Sequence, residues 1–263
     1  MRDPVCAGTF YPRSRSDLSE TVADMLDRAE GIPGIRGIKG AVAPHAGYIF
    51  SGNTAGYTFK AIMRDRRPDA YVIIGPDHHG IPFRAALCSD SYVTPMGECK
   101  VHKDIAERLS SKVPDVPEAH MLEHSVEVEI PFIQYIDPEA RIVPIVMGDQ
   151  SPEYARYLGE SISEACQGFD VIVIASSDMS HYVPKGVSER MDASFMEYVC
   201  NLDVDGMYGY VESTGITVCG YGPIAAMIHA TRPHKGYLLN HSDSSDANDD
   251  RDAVVGYSSA VLV

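Results

Sequence analysis

Residues 171–175, Val-Ile-Val-Ile-Ala, are apolar at every position rather than at alternate ones. A strand with one wet face alternates; a strand that is apolar throughout has to be covered on both faces, which calls for a sheet held between two layers of helices. Largely apolar runs recur at about 37–43, in AYVIIGP (70–76), in ARIVPIVM (140–147) and, with two serines, in the stretch 254–262. Helical patterns separate these runs at 51–65, 99–113 and 123–136. A further one at 151–168 opens with Ser151 as cap and Pro152 at the first helical position and closes at Gly168. Helices at about 187–200, 203–212 and 221–231 and strands at about 236–241 and 254–262 complete the expected order. Strands and helices in alternation predict an α/β sandwich, with a mostly buried central sheet flanked by helices. No linker rich in Gly, Ser and Pro interrupts the chain, so one domain spanning 1–263 is expected.

Charge narrows the function classes. The net charge is −15, from 37 acidic and 22 basic residues, and Lys and Arg form no run. A nucleic-acid footprint is therefore missing, and an anionic lipid surface is disfavoured on the same ground. No stretch approaches the roughly 18 to 20 apolar residues of a membrane span. No apolar signal core follows the charges in MRDPVCAGTFYPRS, which predicts a cytoplasmic protein. The six cysteines include no C-x-x-C pair, which removes zinc ribbons and thioredoxin-type motifs. The acidic segment 240–253 is read as a solvated loop between the last two strands.

Ligands of open α/β sheets sit beyond the carboxyl ends of the strands. Three of the apolar runs deliver histidine there: GAVAP leads to His45, YVIIGPD to His78 and His79, and VIVIASSDMS to His181, three residues after Asp178. Neighbouring parallel strands would bring three imidazoles and one or two carboxylates to one sheet edge, as a mononuclear iron, zinc or copper site requires. The residues themselves leave the choice between His78 and His79 open. Cys219, in TVCGYGPIAAMIHA, precedes a helix start, where the dipole favours thiolate; Gly220 and Gly222 permit close backbone approach. In HMLEHSVEVEIPF, Glu123 and Glu127 share a helical face one step from His124, either as an exposed helix start or as a proton shuttle or a partner that supports the ligands from behind. His102, His120, His229, His234 and His241 are read as surface or packing residues. Dinucleotide, P-loop, nucleophile-elbow and H-E-x-x-H templates are absent.

Seven motifs in order, AGTFYP, APHAGYIFSG, GPDHHG, EHSVEVEIPF, SSDMSHY, CGYGPI and VVGYSSA, resemble the Memo-like family. That family is named after the mediator of ErbB-driven cell motility, and its prokaryotic members are also called AmmeMemoRadiSam system protein B. Its fold is similar to that of LigB-like class III extradiol dioxygenases, non-haem Fe(II) enzymes that cleave catechol rings. The resemblance implies a pocket binding iron or copper, with His45, His78, His181 and Cys219 as metal ligands, and it selects His78 over His79. His181, Asp178 and His124 take catalytic roles in this reading: acid/base or fourth ligand, orienting carboxylate, and proton relay. A thiolate stands where the dioxygenases use a carboxylate, and its softness favours Cu(I) or Zn.

Three functions follow as expectations. The first is a redox enzyme using Fe(II) or Cu on an unknown small molecule. The second is a non-catalytic module binding a peptide or small molecule in a vestigial dioxygenase pocket, a class the resemblance supports because animal members are described as signalling adaptors. The third is a zinc hydrolase, for which no Glu base beside the ligands is evident. A homo-oligomer is compatible with the acidic surface.

Overall fold

The computed structural model describes residues 1–263. Its helices are α1 (Arg15–Arg28), α2 (Tyr48–Asp65), α3 (Lys103–Ser110), α4 (Ile130–Ile136), α5 (Pro152–Ala165), α6 (Lys185–Cys200), α7 (Val204–Thr214), α8 (Tyr221–Thr231) and the short α9 (Ser245–Asn248). The strands are β1 (Gly40–Ala43), β2 (Ala70–Pro76), β3 (Ala85–Leu87), β4 (Tyr92–Thr94), β5 (Gly97–Val101), β6 (Arg141–Met147), β7 (Val171–Ser176), β8 (His181–Val183), β9 (Gly236–Asp243) and β10 (Val254–Leu262). All ten strands form one sheet, whose main path runs β4-β5-β6-β2-β7-β1-β10-β8; β3 pairs with β6 and β9 with β10.

The centre of the sheet is parallel. β5, β6, β2, β7 and β1 run the same way, and β10 returns antiparallel beside β1. Every residue of β1 and β2 is buried, as runs apolar on both faces require. α2 covers one face with α1 and α4 beside it, and its Thr58 reaches Ser259 on β10. α8 and α6 cover the other, backed by α5 and α7. A single cluster of 68 buried apolar residues fills both interlayer spaces. This is the α/β sandwich with a helix-flanked central sheet that the sequence pattern predicts. No helix is long and apolar enough to cross a membrane.

Three local departures matter. The helix expected over 123–136 is regular only from Ile130, preceded by a 3-10 turn at Glu127–Glu129. Residues 123–126 are held instead by the Glu123 side chain, which accepts from the main-chain N–H groups of His124 and Ser125 and so competes with the helical pattern. The helical pattern over 99–113 begins as the end of strand β5 and is helical only at Lys103–Ser110. In the acidic segment, Asp243 is buried and paired with Lys185 at 2.8 Å, whereas residues 249–253 are exposed.

Candidate metal centre

β2, β7 and β1 are adjacent and parallel, with Ile74 opposite Ala175 and Ala43 opposite Ser176. Their carboxyl ends therefore open at one edge of the sheet, where the chain leaving β1 carries His45 and the chain leaving β2 carries His78. The segment 123–126 lies across the end of β2, and Ser125 donates to the Pro76 carbonyl at 2.9 Å. Gly75 makes this approach possible: a Cβ there would collide with the Ser125 hydroxyl and stand 2.9 Å from the Ser125 Cβ. Seated this way, His124 joins His45 and His78. The ring centroids are 5.2 Å apart for His45–His78, 5.3 Å for His45–His124 and 4.5 Å for His78–His124. One ring nitrogen from each of the three lies within 4.8 Å of the others, a group that can hold a metal ion.

Two of the three Nδ1 atoms are already hydrogen-bonded. His45 Nδ1 lies 2.7 Å from Ser176 Oγ, and His78 Nδ1 is 2.9 Å from Glu123 Oε1. His124 Nδ1 is 3.3 Å from the same Glu123 oxygen. Metal-bound histidines characteristically have their second nitrogen fixed in this manner, so the donor set fits a bound ion. Cys219 Sγ stands 3.3 Å from His45 Nε2, on the free side of that ring, and receives the Asp178 N–H at 3.2 Å. The turn carrying Cys219 reaches the end of β7 because Gly220 lacks a side chain; a Cβ there would lie 2.6 Å from the Ser177 Cβ.

Electrostatics divide the three rings. Burial, reinforced by the neighbouring imidazoles of His124 and His78, holds His45 well below the usual imidazole range. Burial likewise lowers His124, to about 4. At His78 burial acts in the same sense, but the hydrogen bond and charge of Glu123 outweigh it and the net shift is upward. Glu123 is held far below the usual carboxyl range: burial opposes ionisation, and the hydrogen bonds and charge of His78 and the surrounding N–H groups overcome it. Burial, then the Asp178 charge, pushes the Cys219 thiol up, so in the metal-free protein desolvation outweighs the helix dipole that favours thiolate.

The family model for the Memo-like protein matches residues 2–261. The chain belongs to the Memo-like family. A MEMO1 family protein of Methanosarcina barkeri is 37% identical over 269 residues, covering 100% of both chains. Another from Thermoplasma acidophilum is 39% identical over 269 residues, covering 100% of this chain and 98% of the relative. Among solved structures, an uncharacterised protein from Escherichia coli K12 superposes with a TM-score of 0.57 at 14% identity, covering 86% of this chain and 100% of its own. That last likeness concerns the fold alone.

In this Memo-like protein the remaining expected site residues stand as follows. Asp178 is buried, and its Oδ1 accepts from the main-chain N–H groups of His45 at 2.9 Å and Ala46 at 3.3 Å. It thus fixes the backbone that carries His45, while Ser176 meets the ring. Burial raises Asp178 to about 6, against the charge of His181 and those N–H groups. His181 begins β8 outside the three-imidazole group; its main-chain N–H donates to Thr217 Oγ1 at 2.7 Å and its Nδ1 to the Thr217 carbonyl at 2.8 Å. The next residue, Tyr182, has φ 56°, a left-handed backbone that costs a non-glycine residue about 1–2 kcal/mol.

The sequence singles out Glu123 and Glu127 beside His124 but not the partners that they hold. Glu123 Oε1 accepts from His78 Nδ1 and from the N–H groups of His124 and Ser125, and Oε2 accepts the His78 N–H at 2.7 Å. Glu127 pairs with Arg2, accepts from Tyr11, and takes the Val5 and Cys6 N–H groups at 3.0 and 2.9 Å. This ties the N-terminal segment down beside the site, where the Phe10 ring packs 4.8 Å from that of His124. The run of acidic residues in EHSVEVE was the available signal, because a strand-edge cluster of His needs buried acceptors.

Proposed function

We propose that the protein is a redox enzyme using non-haem Fe(II) or Cu held by His45 and His78, with Cys219, His124 and His181 supplying the rest of its chemistry. The observation that carries this reading is the convergence of three imidazoles, two of which, His45 and His78, have Nδ1 hydrogen-bonded to buried side chains. Iron or copper bound there would supply one-electron and dioxygen chemistry. The chain's own groups then have separable tasks. Glu123 orients His78 and His124, and Asp178 fixes the main chain at His45. Cys219 offers a soft donor, which favours copper or zinc over iron, provided its proton is lost on binding. His181, whose Nδ1 donates to the Thr217 carbonyl, serves as acid/base toward the substrate through Nε2. His124 either completes the donor set or relays a proton from it.

The substrate in this reading is a small molecule in the cytoplasm. A second reading, a binding module for a peptide or small molecule, draws on the exposed apolar side chains next to site residues. Leu122 precedes Glu123, Ile49 follows the His45 turn, and Tyr182 adjoins His181; they are 67%, 74% and 77% exposed. The deciding experiment is metal analysis after anaerobic purification and reconstitution with Fe(II), Cu(I) or Zn(II), with His78→Ala and Cys219→Ala beside wild type. The redox reading expects binding that both variants weaken. Metal-free protein under every condition refutes it and leaves the binding module.

A further inference from the structure

Glu129 is fully buried at the start of α4, and its Oε2 has no hydrogen-bond partner. Its Oε1 lies 2.9 Å from Ser176 Oγ. The same Oγ is 2.7 Å from the Ser125 carbonyl and 2.7 Å from His45 Nδ1. Ser176 thus has three close polar neighbours and one hydrogen to give. A main-chain carbonyl can only accept, so the hydroxyl hydrogen belongs to Ser125. Both remaining contacts must then bring hydrogens of their own: one from His45 Nδ1–H and one from Glu129. With Glu129 ionised, either its own contact or the one to Ser125 would set two lone pairs face to face in a dry site. Half of the carboxylate would also be buried with no partner, and unpaired buried charge is far costlier than an unpaired carbonyl-type oxygen.

We propose that Glu129 is a positioning residue, a neutral carboxylic acid that donates to Ser176 Oγ and completes the arrangement that keeps hydrogen on Nδ1 of His45 and its Nε2 lone pair toward the site. The inference rests on the reading of His45 as a ligand for its functional meaning, but not for its chemistry. Burial pushes the Glu129 carboxyl well above the usual range; the Ser176 hydrogen bond opposes it and the nearby Asp178 charge adds to it, and the net upward direction agrees with the hydrogen count. The supports behind the cluster then differ in charge: an ionised Glu123 behind His78 and His124, an uncharged Ser176–Glu129 pair behind His45.

The test uses metal-free full-length protein. The infrared difference spectrum of wild type minus Glu129→Gln should contain the C=O stretch of a protonated carboxyl group, and 15N-histidine spectra, assigned by loss of a signal in His45→Gln, should place the His45 hydrogen on Nδ1. Glu129→Met removes the donor; it should shift the His45 Nδ1 resonance and weaken zinc binding, measured by chelator competition, by about 10-fold, the low end of losses seen when an outer support is removed. Glu129→Gln, which keeps an N–H donor, should restore both. The inference is overturned if the protonated-carboxyl band is missing, if the hydrogen is on Nε2, if Glu129→Met matches wild type, or if Glu129→Gln behaves as Glu129→Met. Should Glu129→Met fail to fold, the infrared band, the wild-type tautomer and the Gln variant still decide. The expected band, tautomer and Nδ1 shifts in a protein that binds none of Zn(II), Fe(II) and Cu(I) would sustain this inference and remove the metal reading instead.

Discussion

Replacing Glu123 by Gln is the sharpest perturbation of the site, because one buried carboxylate receives four short hydrogen bonds. Oε1 accepts from His78 Nδ1, His124 N and Ser125 N, each at 2.9 Å, and Oε2 accepts from His78 N at 2.7 Å. Glutamine retains one acceptor oxygen. Its amide group, placed on the Oε2 side, faces the His78 N–H and leaves that donor unsatisfied, at about 1–3 kcal/mol. The three bonds to the remaining oxygen lose their charge assistance, which together adds about 1–3 kcal/mol, partly offset because a charge no longer has to be desolvated. A net loss of about 2–4 kcal/mol is expected by urea unfolding at pH 7.

The sign with pH follows from the depressed carboxyl. Glu123 contributes fully above its ordinary value of 4.5 and progressively less as pH falls below it, so the gap between the two proteins narrows in acid. The variant should also move the titration of His78 downward, since the Glu123 charge that outweighs burial is lost and only the charges of Asp178 and Asp77 still oppose it. A stability change under about 0.5 kcal/mol, the ordinary range for surface substitutions, would refute the account of Glu123 as the hub of this loop, as would an unmoved His78 titration.

Gly75→Ala should cost about 1–3 kcal/mol in urea unfolding, as overpacking does, and disturb the His124 ring signal, because the new Cβ displaces Ser125 and with it the segment 123–126. Asp178→Asn should stabilise the metal-free protein above pH 6 relative to wild type. The raised carboxyl favours folding fully below its ordinary value of 3.8 and loses that contribution as pH rises through about 6, a difference of up to roughly 3 kcal/mol. Unfolding curves at pH 5 and pH 7.5 check the sign: a gap that shrinks toward neutral pH contradicts it.

Much of the architecture was legible because apolar runs such as Val171–Ala175 leave a strand no exposed face, and because Ser151-Pro152 and Gly222-Pro223 mark helix starts. What escaped was short or decided by tertiary contacts. β3, β4 and β8 have three residues each, too few for a period to register. α1 places Leu18, Val22, Met25 and Leu26 inward on an otherwise polar helix, a four-residue stripe that composition dilutes. At the site, histidines at strand exits were readable from position alone, since strand ends are where an α/β sheet presents side chains. Ser176 and Glu129 were not, nor was the bond from His78 to Glu123, because the paired residues are 45 to 51 apart in the chain and only the folded geometry brings them together. His120, read as a surface or packing residue, is a core residue: it is buried between Tyr92, at 2.7 Å from Nδ1, and the Ala86 carbonyl, at 2.9 Å from Nε2.

The parallel run of β2, β7 and β1 has an evolutionary consequence. His45 and His78 stand just past the mouths of separate strands, and Cys219 arrives on a turn of its own, so one donor can be exchanged while the ladder of backbone bonds beneath stays untouched. Trading imidazole for carboxylate or thiol at a single exit would alter ion preference without re-solving the folding problem, and such a scaffold can diversify its chemistry one loop at a time.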